Sequence, residues 1–319
     1  MLLVTGATGF LGSRIAKMLA EEGHKLRCTG HPDDPAGRIP GEYVPCNLLD
    51  EKTTQKTLEG VTAVFHAAAM VTFQPSLYEK QMQVNVEGTR ILLRACERAG
   101  VQRFVYTSTV NTLGIPPKGE RGDEDTEFNW QPWHLGYMDS KHAAEKLVLS
   151  SDLDVVCALP VTMFGPGDVF FNAGSYIKES AKGRAILAPP GGTTVAHVDD
   201  VAQGHRLVYK KGKRGERYIL GGDPLSYMEI LTMIAEELGR RPPIATAPGF
   251  LLRWAGRLSD RLRKSLRIPI QLSEGLMVAG SSHLYYSHKK AERDLGYTAR
   301  PARQAISDAV NWYRRKGMI

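Results

Sequence analysis

Tyr137 and Lys141 stand four residues apart in a stretch whose apolar positions, Ala143, Ala144, Leu147 and Val148, follow helical spacing, so both side chains belong on one face of one helix. A phenol with an ordinary pKa of about 10 is a poor base at neutral pH. An ammonium beside it favours the phenolate and suits it to proton transfer at a carbonyl or an alcohol. Tyr and Lys fall at this spacing by chance in many helices, so the pair takes its meaning from its surroundings. Three hydroxyls, Thr107, Ser108 and Thr109, end the apolar run in RFVYTSTVNTLG, and each can either hold a substrate oxygen or finish backbone bonding in a turn. Asn85, in VNVEGT, has the chemistry to join a proton path or to cap the helix that follows.

The second chemical signal is TGATGFLG, directly after an apolar run and at the start of a helical pattern through Ile15, Met18 and Leu19. In that context Gly6 allows a tight turn, Gly9 lets the backbone approach a pyrophosphate, and Gly12 lets the helix sit close on the strand. Free N–H groups and the positive end of the helix dipole then hold phosphate oxygens, with Thr8, Phe10 and Leu11 in the same turn. A nicotinamide dinucleotide is the expected cofactor. NAD enzymes usually place an acidic residue at the end of the second strand for the ribose hydroxyls. In CTGHPDD that place falls on Gly30; Arg27, His31 and Arg38 offer positive charge to a 2′-phosphate, and Asp33 and Asp34 lie a few residues on. The balance favours NADP over NAD.

These groups need elements to position them. Short apolar strands are predicted at residues 2–6, 25–29, 63–67, 104–107 and 155–159, with helices at 12–22, 53–58, 86–99 and 140–149 between them. The alternation calls for an α/β fold: a Rossmann-type, doubly wound parallel sheet over residues 1–160. Past Pro160 glycine and proline become frequent through GPGD and APPGG and the alternation lapses. The chain is expected to return to the first domain at 195–222. Residues 161–194 and 223–319 then form a smaller C-terminal substrate lobe.

Composition agrees with an ordinary globular protein: 319 residues, 42% hydrophobic, 24% charged. The formal charge of +7 does not signal nucleic acid, because basic residues occur throughout the chain and no finger or zipper motif accompanies them. Cys28, Cys46, Cys96 and Cys157 lack the paired spacing of metal sites or disulfide frameworks, which fits a reducing, cytoplasmic compartment. The apolar run at Leu2 is broken by Thr5 and Gly6, too soon for a signal peptide or a spanning helix.

Taken together, TGATGFLG, the HAAA run at His66–Ala69, NVEGT, YTST, YMDSK and HVDDVA resemble the extended short-chain dehydrogenase/reductases over nearly the whole chain. Within that group the chain is similar to the branch of dihydroflavonol reductases and 3β-hydroxysteroid dehydrogenases, which includes bacterial hopanoid-associated sugar epimerases. The resemblance implies Tyr137 as proton donor or acceptor, Lys141 as the group that lowers its pKa and holds the nicotinamide ribose, and Thr109 on the reacting oxygen, with Ser108 the alternative one residue away. It implies Asn85 near the proton path. To the cofactor it assigns the turn residues Gly6, Thr8, Gly9, Phe10, Leu11 and Gly12, then His31, Asn47, Leu48, Ala67, Ala68, Ala69, Thr107, Ser108 and Pro160, beside Tyr137 and Lys141. Asn47-Leu48 stands where the family carries an Asp-hydrophobic pair for adenine. The resemblance also implies a homodimer through the helices that follow Asn85 and Tyr137.

Two departures bear on substrate. Nucleotide-sugar members carry an arginine shortly before the strand that here reads VAHVDD, where this chain has Thr193 and Thr194. The family's Arg-Pro is here Leu159-Pro160. Both changes remove charge that a diphosphate would want, so the expected substrate is a small molecule with a ketone or secondary alcohol on a largely apolar body. The alternative is a nucleotide-sugar epimerase or dehydratase. His197, Asp199, Asp200 and His205 are placed by the HVDDVA match and no metal is expected. Trp130 and Trp133 can line a pocket or pack a loop. The stretch PGFLLRWAGRLSDRLRKSLRIP is basic and amphipathic; a solvated helix face is favoured over contact with a membrane surface.

Overall fold

The computed structural model describes residues 1–34, 39–183, 186–266 and 273–319; Arg38 and the end of the basic stretch beyond residue 266 lie outside them. The first half contains β1 (Leu2–Thr5), α1 (Phe10–Glu21), β2 (Leu26–Thr29), β3 (Glu42–Tyr43), α2 (Glu51–Lys56), β4 (Ala63–His66), α3 (Tyr78–Met82), α4 (Gly88–Ala99), β5 (Arg103–Thr107), α5 (Gly136–Leu149) and β6 (Val155–Pro160). Beyond it come β7 (Thr162–Phe164), α6 (Gly174–Ala181), β8 (Leu187–Ala188), β9 (Gly192–His197), α7 (Val198–Lys211), β10 (Arg217–Leu220), β11 (Asp223–Ser226) and α8 (Tyr227–Leu238). The described chain then adds β12 (Ala245–Thr246), α9 (Gly249–Leu266), α10 (Glu274–Ser281), β13 (His283–Leu284), α11 (Lys289–Leu295) and α12 (Ala302–Arg315).

Seven strands form one parallel sheet in the order β3-β2-β1-β4-β5-β6-β10. Strands β1, β4 and β6, reading LLVT, AVFH and VVCALP, are buried at every residue, as a sheet covered on both faces requires. Helices α4 and α5 pack together on one face, and α1 and α7 pack together on the other. The chain leaves β1 in one direction to β2 and β3 and returns on the other side through β4, so a crevice opens at the carboxyl ends of β1 and β4. Register sharpens this placement. Thr5 pairs level with both Thr29 and His66, and His66 with Tyr106, so the turns after β1, β2, β4 and β5 open along one edge.

The stretch 195–222 divides between the two sheets. Helix α7 and strand β10 rejoin the large sheet, but β9 lies in a smaller one, antiparallel to β11 and parallel to β7 and β13. Ile177, Ile230, Ile234, Ile306, Val310 and Tyr313 form the second core around it. Arg14 ties the lobes together by donating to the Pro166 carbonyl and pairing with Asp199 at 3.6 Å. All four cysteines are buried free thiols. Among the described residues no helix is long and apolar enough to cross a membrane.

Candidate active site

The glycine turn has the shape of a phosphate cradle. Gly6 has φ +67°, and a Cβ there would stand 2.7 Å from Ala68 Cα. A Cβ on Gly12 would overlap the Gly6 carbonyl oxygen, so both positions exclude any side chain. Helix α1 begins after Gly9 with no side-chain cap, whereas α2 is capped by Asp50 and α8 by a Ser226–Glu229 capping box. The amides of Phe10, Leu11 and Gly12 are therefore left for an outside acceptor, and a dinucleotide pyrophosphate fits that need.

At the end of β2, Gly30 faces Thr8 so closely that a Cβ would lie 2.8 Å from Thr8 Oγ1. A side chain there would have to displace Thr8. A carboxylate arrives from further along: Asp34 accepts from Thr8 Oγ1 at 2.7 Å and from the His31 amide at 3.1 Å. Arg27 is turned away, occupied by Glu42 at 3.0 Å and by the Thr57 and Glu59 carbonyls at 2.9 Å. His31 is exposed, its imidazole 3.4 Å from Asp33. Asn47 is exposed and accepts from the Leu49 amide at 3.1 Å, while Leu48 packs towards Gly88.

After β4, a chain of buried hydrogen bonds fixes the Ala67–Ala69 segment. Thr5 Oγ1 accepts from the Ala68 amide at 3.2 Å and lies 2.7 Å from His66 Nδ1; because the Thr89 proton is used on the Asn85 carbonyl, Nε2 carries the ring proton and Thr5 donates to Nδ1. His66 Nε2–H then donates to Thr89 at 3.0 Å, and Thr89 donates to the Asn85 carbonyl at 2.6 Å. Burial, aided by the Lys141 charge, pushes His66 down to about 3, so it stays neutral in this role. Asn85 lies in a π-helical turn, accepting from the Met70 amide at 2.7 Å and donating to the Met70 carbonyl at 3.1 Å and to Ser140 Oγ at 2.9 Å. Its amide ties the Met70 loop to α5.

The pleat of β5 sorts the three hydroxyls. Ser108 Oγ donates to Glu145 of α5, deep in the interior. Thr107 Oγ1 points to the other face, 3.0 Å from His205 Nε2, and His205 Nδ1 meets the Val201 carbonyl at 2.8 Å. Thr109 Oγ1 caps the turn after β5, accepting from the Asn111 amide at 3.3 Å, and it is also the hydroxyl that lowers the Tyr137 phenol. Of the Thr107 atoms, the carbonyl serves the site: Lys141 Nζ donates to it at 2.8 Å and to the Tyr106 hydroxyl at 2.7 Å, above the Tyr106 ring.

Burial raises the Tyr137 phenol above its ordinary value, and the Thr109 hydroxyl pulls it part of the way back. Burial also pushes Lys141 down to about 7, against the opposing charge of Glu145. Tyr137 therefore stays protonated in this state, and Lys141 carries its full charge only below about pH 7. For ketone reduction, kcat/KM is expected to hold level below about pH 7 and to fall towards tenfold per pH unit above it, as Lys141 deprotonates. A level profile up to about pH 9 would refute this coupling.

Phe73 stands edge-on to Tyr137, ring centroids 5.7 Å apart, and is partly exposed, so the approach to the phenol is apolar. Thr193 and Thr194 are buried; Thr193 meets Thr162 at 3.0 Å and Thr194 accepts from the Tyr286 amide at 2.9 Å. His197 caps α7, Asp200 binds Arg300, and His205 faces Thr107, so these side chains diverge to protein partners. Trp130 is fully buried and donates to the Leu113 carbonyl at 2.9 Å, a packing role. Asp34, one of the two carboxylates that the sequence offers after Gly30, is the one that reaches Thr8, whereas Tyr106, Glu145 and Ser140 carry no signal in the sequence. Each reaches the site by a tertiary contact that spacing along the chain does not record.

Comparison with known proteins agrees with this geometry. Residues 2–221 match the family model described as the NAD dependent epimerase/dehydratase family. The chain is 30% identical to "Putative dihydroflavonol 4-reductase" of Synechocystis, covering 99% of this chain and 95% of that one. It is 31% identical to sterol demethylase protein B of Methylococcus capsulatus, covering 99% of each. Among solved structures, that of gox2253 superposes with a TM-score of 0.90 at 34% identity, covering 100% of this chain and 99% of the other. A cradle open to pyrophosphate, a Tyr-Lys pair at the end of β5 and a family match over the whole cofactor half lead to one conclusion: the chain belongs to the NAD-dependent epimerase/dehydratase family, within the extended short-chain dehydrogenase/reductases, and is an NAD(P)-dependent oxidoreductase.

Proposed function

We propose that the protein interconverts a ketone and a secondary alcohol on a small molecule with a large apolar body. The observation that carries this reading is the Tyr137 phenol approached edge-on by Phe73, with buried threonines on β9 where a diphosphate-gripping arginine would be wanted. The sterol in one relative's name points to the same class of substrate. The nicotinamide, when bound, supplies or accepts the hydride. In reduction, Thr109 and Tyr137 hold the carbonyl oxygen, and the Tyr137 hydroxyl passes its proton to that oxygen as the carbon becomes tetrahedral. Lys141 then faces a phenolate and stabilises it. In oxidation the phenolate takes the alcohol proton back.

The cofactor reading shifts once geometry is considered. Sequence favoured NADP; Asp34 beside Thr8 and the occupied Arg27 support NAD, because a 2′-phosphate would meet a carboxylate. NADH is expected to outperform NADPH by about tenfold or more in kcat/KM, with Asp34→Ser narrowing the gap. Equal use of both, unchanged in the variant, would reverse the assignment. The reaction itself is tested by incubating purified protein with reduced cofactor and a panel of apolar ketones. Alcohol should appear in step with cofactor oxidation. Interconversion of sugar nucleotides with no net change in cofactor would instead establish the epimerase.

A further inference from the structure

The net charge of this chain is gathered in one place. Between residues 240 and 267 the sequence carries eight basic residues and one acidic, an excess equal to the whole formal charge of +7, so the rest of the chain is balanced. Helix α9 carries much of that excess, and a row of its apolar residues faces outward. The inner side of α9 is Leu252, Gly256 and Ser259, with Gly256 so close to α10 that a Cβ would stand 2.8 Å from Glu274 Cα. On the outer side Phe250, Trp254, Leu258 and Leu262 recur every four residues; Phe250 is 72% exposed and Trp254 63%. Arg253, Arg257 and Arg261 form an adjacent exposed row, of which Arg257 pairs with Glu274 at 2.6 Å. At the foot of the helix, the pairing of β8 with β12 adds exposed Leu187 and Ile244, the latter 80% exposed.

A contiguous apolar row of this kind on a soluble surface marks a contact site. Charge selects the occupant. A second copy of the chain joined through the same face would set one basic row against another, and the dimer that the family resemblance implies uses α4 and α5 instead. An anionic lipid surface satisfies both rows at once, with the acyl boundary for the apolar side chains and phosphates for the arginines. We propose that α9 is an interfacial anchor by which the protein rests reversibly on an anionic bilayer, Phe250, Trp254, Leu258 and Leu262 entering the headgroup boundary and Arg253 and Arg261 meeting lipid phosphates. The anchor does not depend on which ketone the active site takes.

The test is co-sedimentation of the full chain with vesicles of phosphatidylcholine alone or with about a third phosphatidylglycerol. Binding is expected to the anionic vesicles and to weaken as salt is raised. Phe250→Ser with Trp254→Ser, and separately Arg253→Gln with Arg261→Gln, should each lower partitioning by about tenfold or more, while the melting temperature and the turnover of a water-soluble ketone stay unchanged. Equal binding to neutral and anionic vesicles, no binding to either, or folded variants that bind as the parent does would overturn the proposal. So would a change of oligomeric state in these variants by light scattering, which would assign the face to a second copy.

Discussion

Tyr137→Phe is expected to reduce ketone turnover by about 10²–10⁴-fold while leaving the fold and the cofactor site intact. The substitution removes one hydroxyl and keeps the ring that meets Phe73 edge-on, so α5 keeps its packing. No hydrogen bond of the glycine cradle involves the phenol, and reduced-cofactor affinity by fluorescence titration should change little. The loss should fall on kcat, because the proton moves only as the carbon changes state. Thr109→Val should cost less, since the phenol remains able to hold the substrate oxygen. Near-parental reduction by a Tyr137→Phe protein that is folded by circular dichroism would remove Tyr137 from the mechanism.

Lys141→Met is expected to act in three directions at once. It removes the donor shared by the Tyr106 hydroxyl and the Thr107 carbonyl, and it removes the charge that would face a Tyr137 phenolate. Turnover should fall by about 10²-fold or more, and cofactor affinity by roughly tenfold, the scale of a lost charge-assisted hydrogen bond to the ribose. Stability should move the other way or hold level, because burial already pushes Lys141 down to about 7 and methionine carries no charge to desolvate. Lys141→Arg should not rescue turnover, since a planar fork cannot occupy the space of an ammonium set over the Tyr106 ring. Parental turnover together with parental cofactor affinity would show that the lysine is structural.

The elements that place this site were legible because each leaves a local trace. The strand-turn-helix at β1, the buried runs of β4, β5 and β6, and the Tyr-Lys helix all carry their periodicity within a dozen residues. The choice among Thr107, Ser108 and Thr109 did not. Adjacent strand residues point to opposite faces, and only the flanking helices reveal that Ser108 meets Glu145 while Thr107 meets His205. The ribose end was hidden for a related reason: Gly30 occupies the expected acidic position, and Asp34 folds back to Thr8 across a turn whose path composition does not specify. Asn85 has the residue type for a proton path, yet its three hydrogen bonds go to Met70 and Ser140, so what it does in the structure is hold the Met70 loop against α5. Helix α9 showed its amphipathic pattern from the start, but which stripe faced inward was decided by Gly256 against Glu274.

Strand β9 has a consequence for how the chain is made. Its three partners come from residues 162–164, 223–226 and 283–284, and α12, residues 302–315, packs across it. Six of the seven strands of the cofactor sheet, by contrast, are complete once residue 160 has been made. During synthesis from the N-terminus the cofactor half can therefore assemble early, with the β6 edge waiting for β10. The smaller lobe gathers its central strand from partners far apart in the chain and is not complete until α12 has been made. For that interval the growing chain presents an open strand edge and an unclosed apolar lobe, the features that expose an incomplete fold to mispairing.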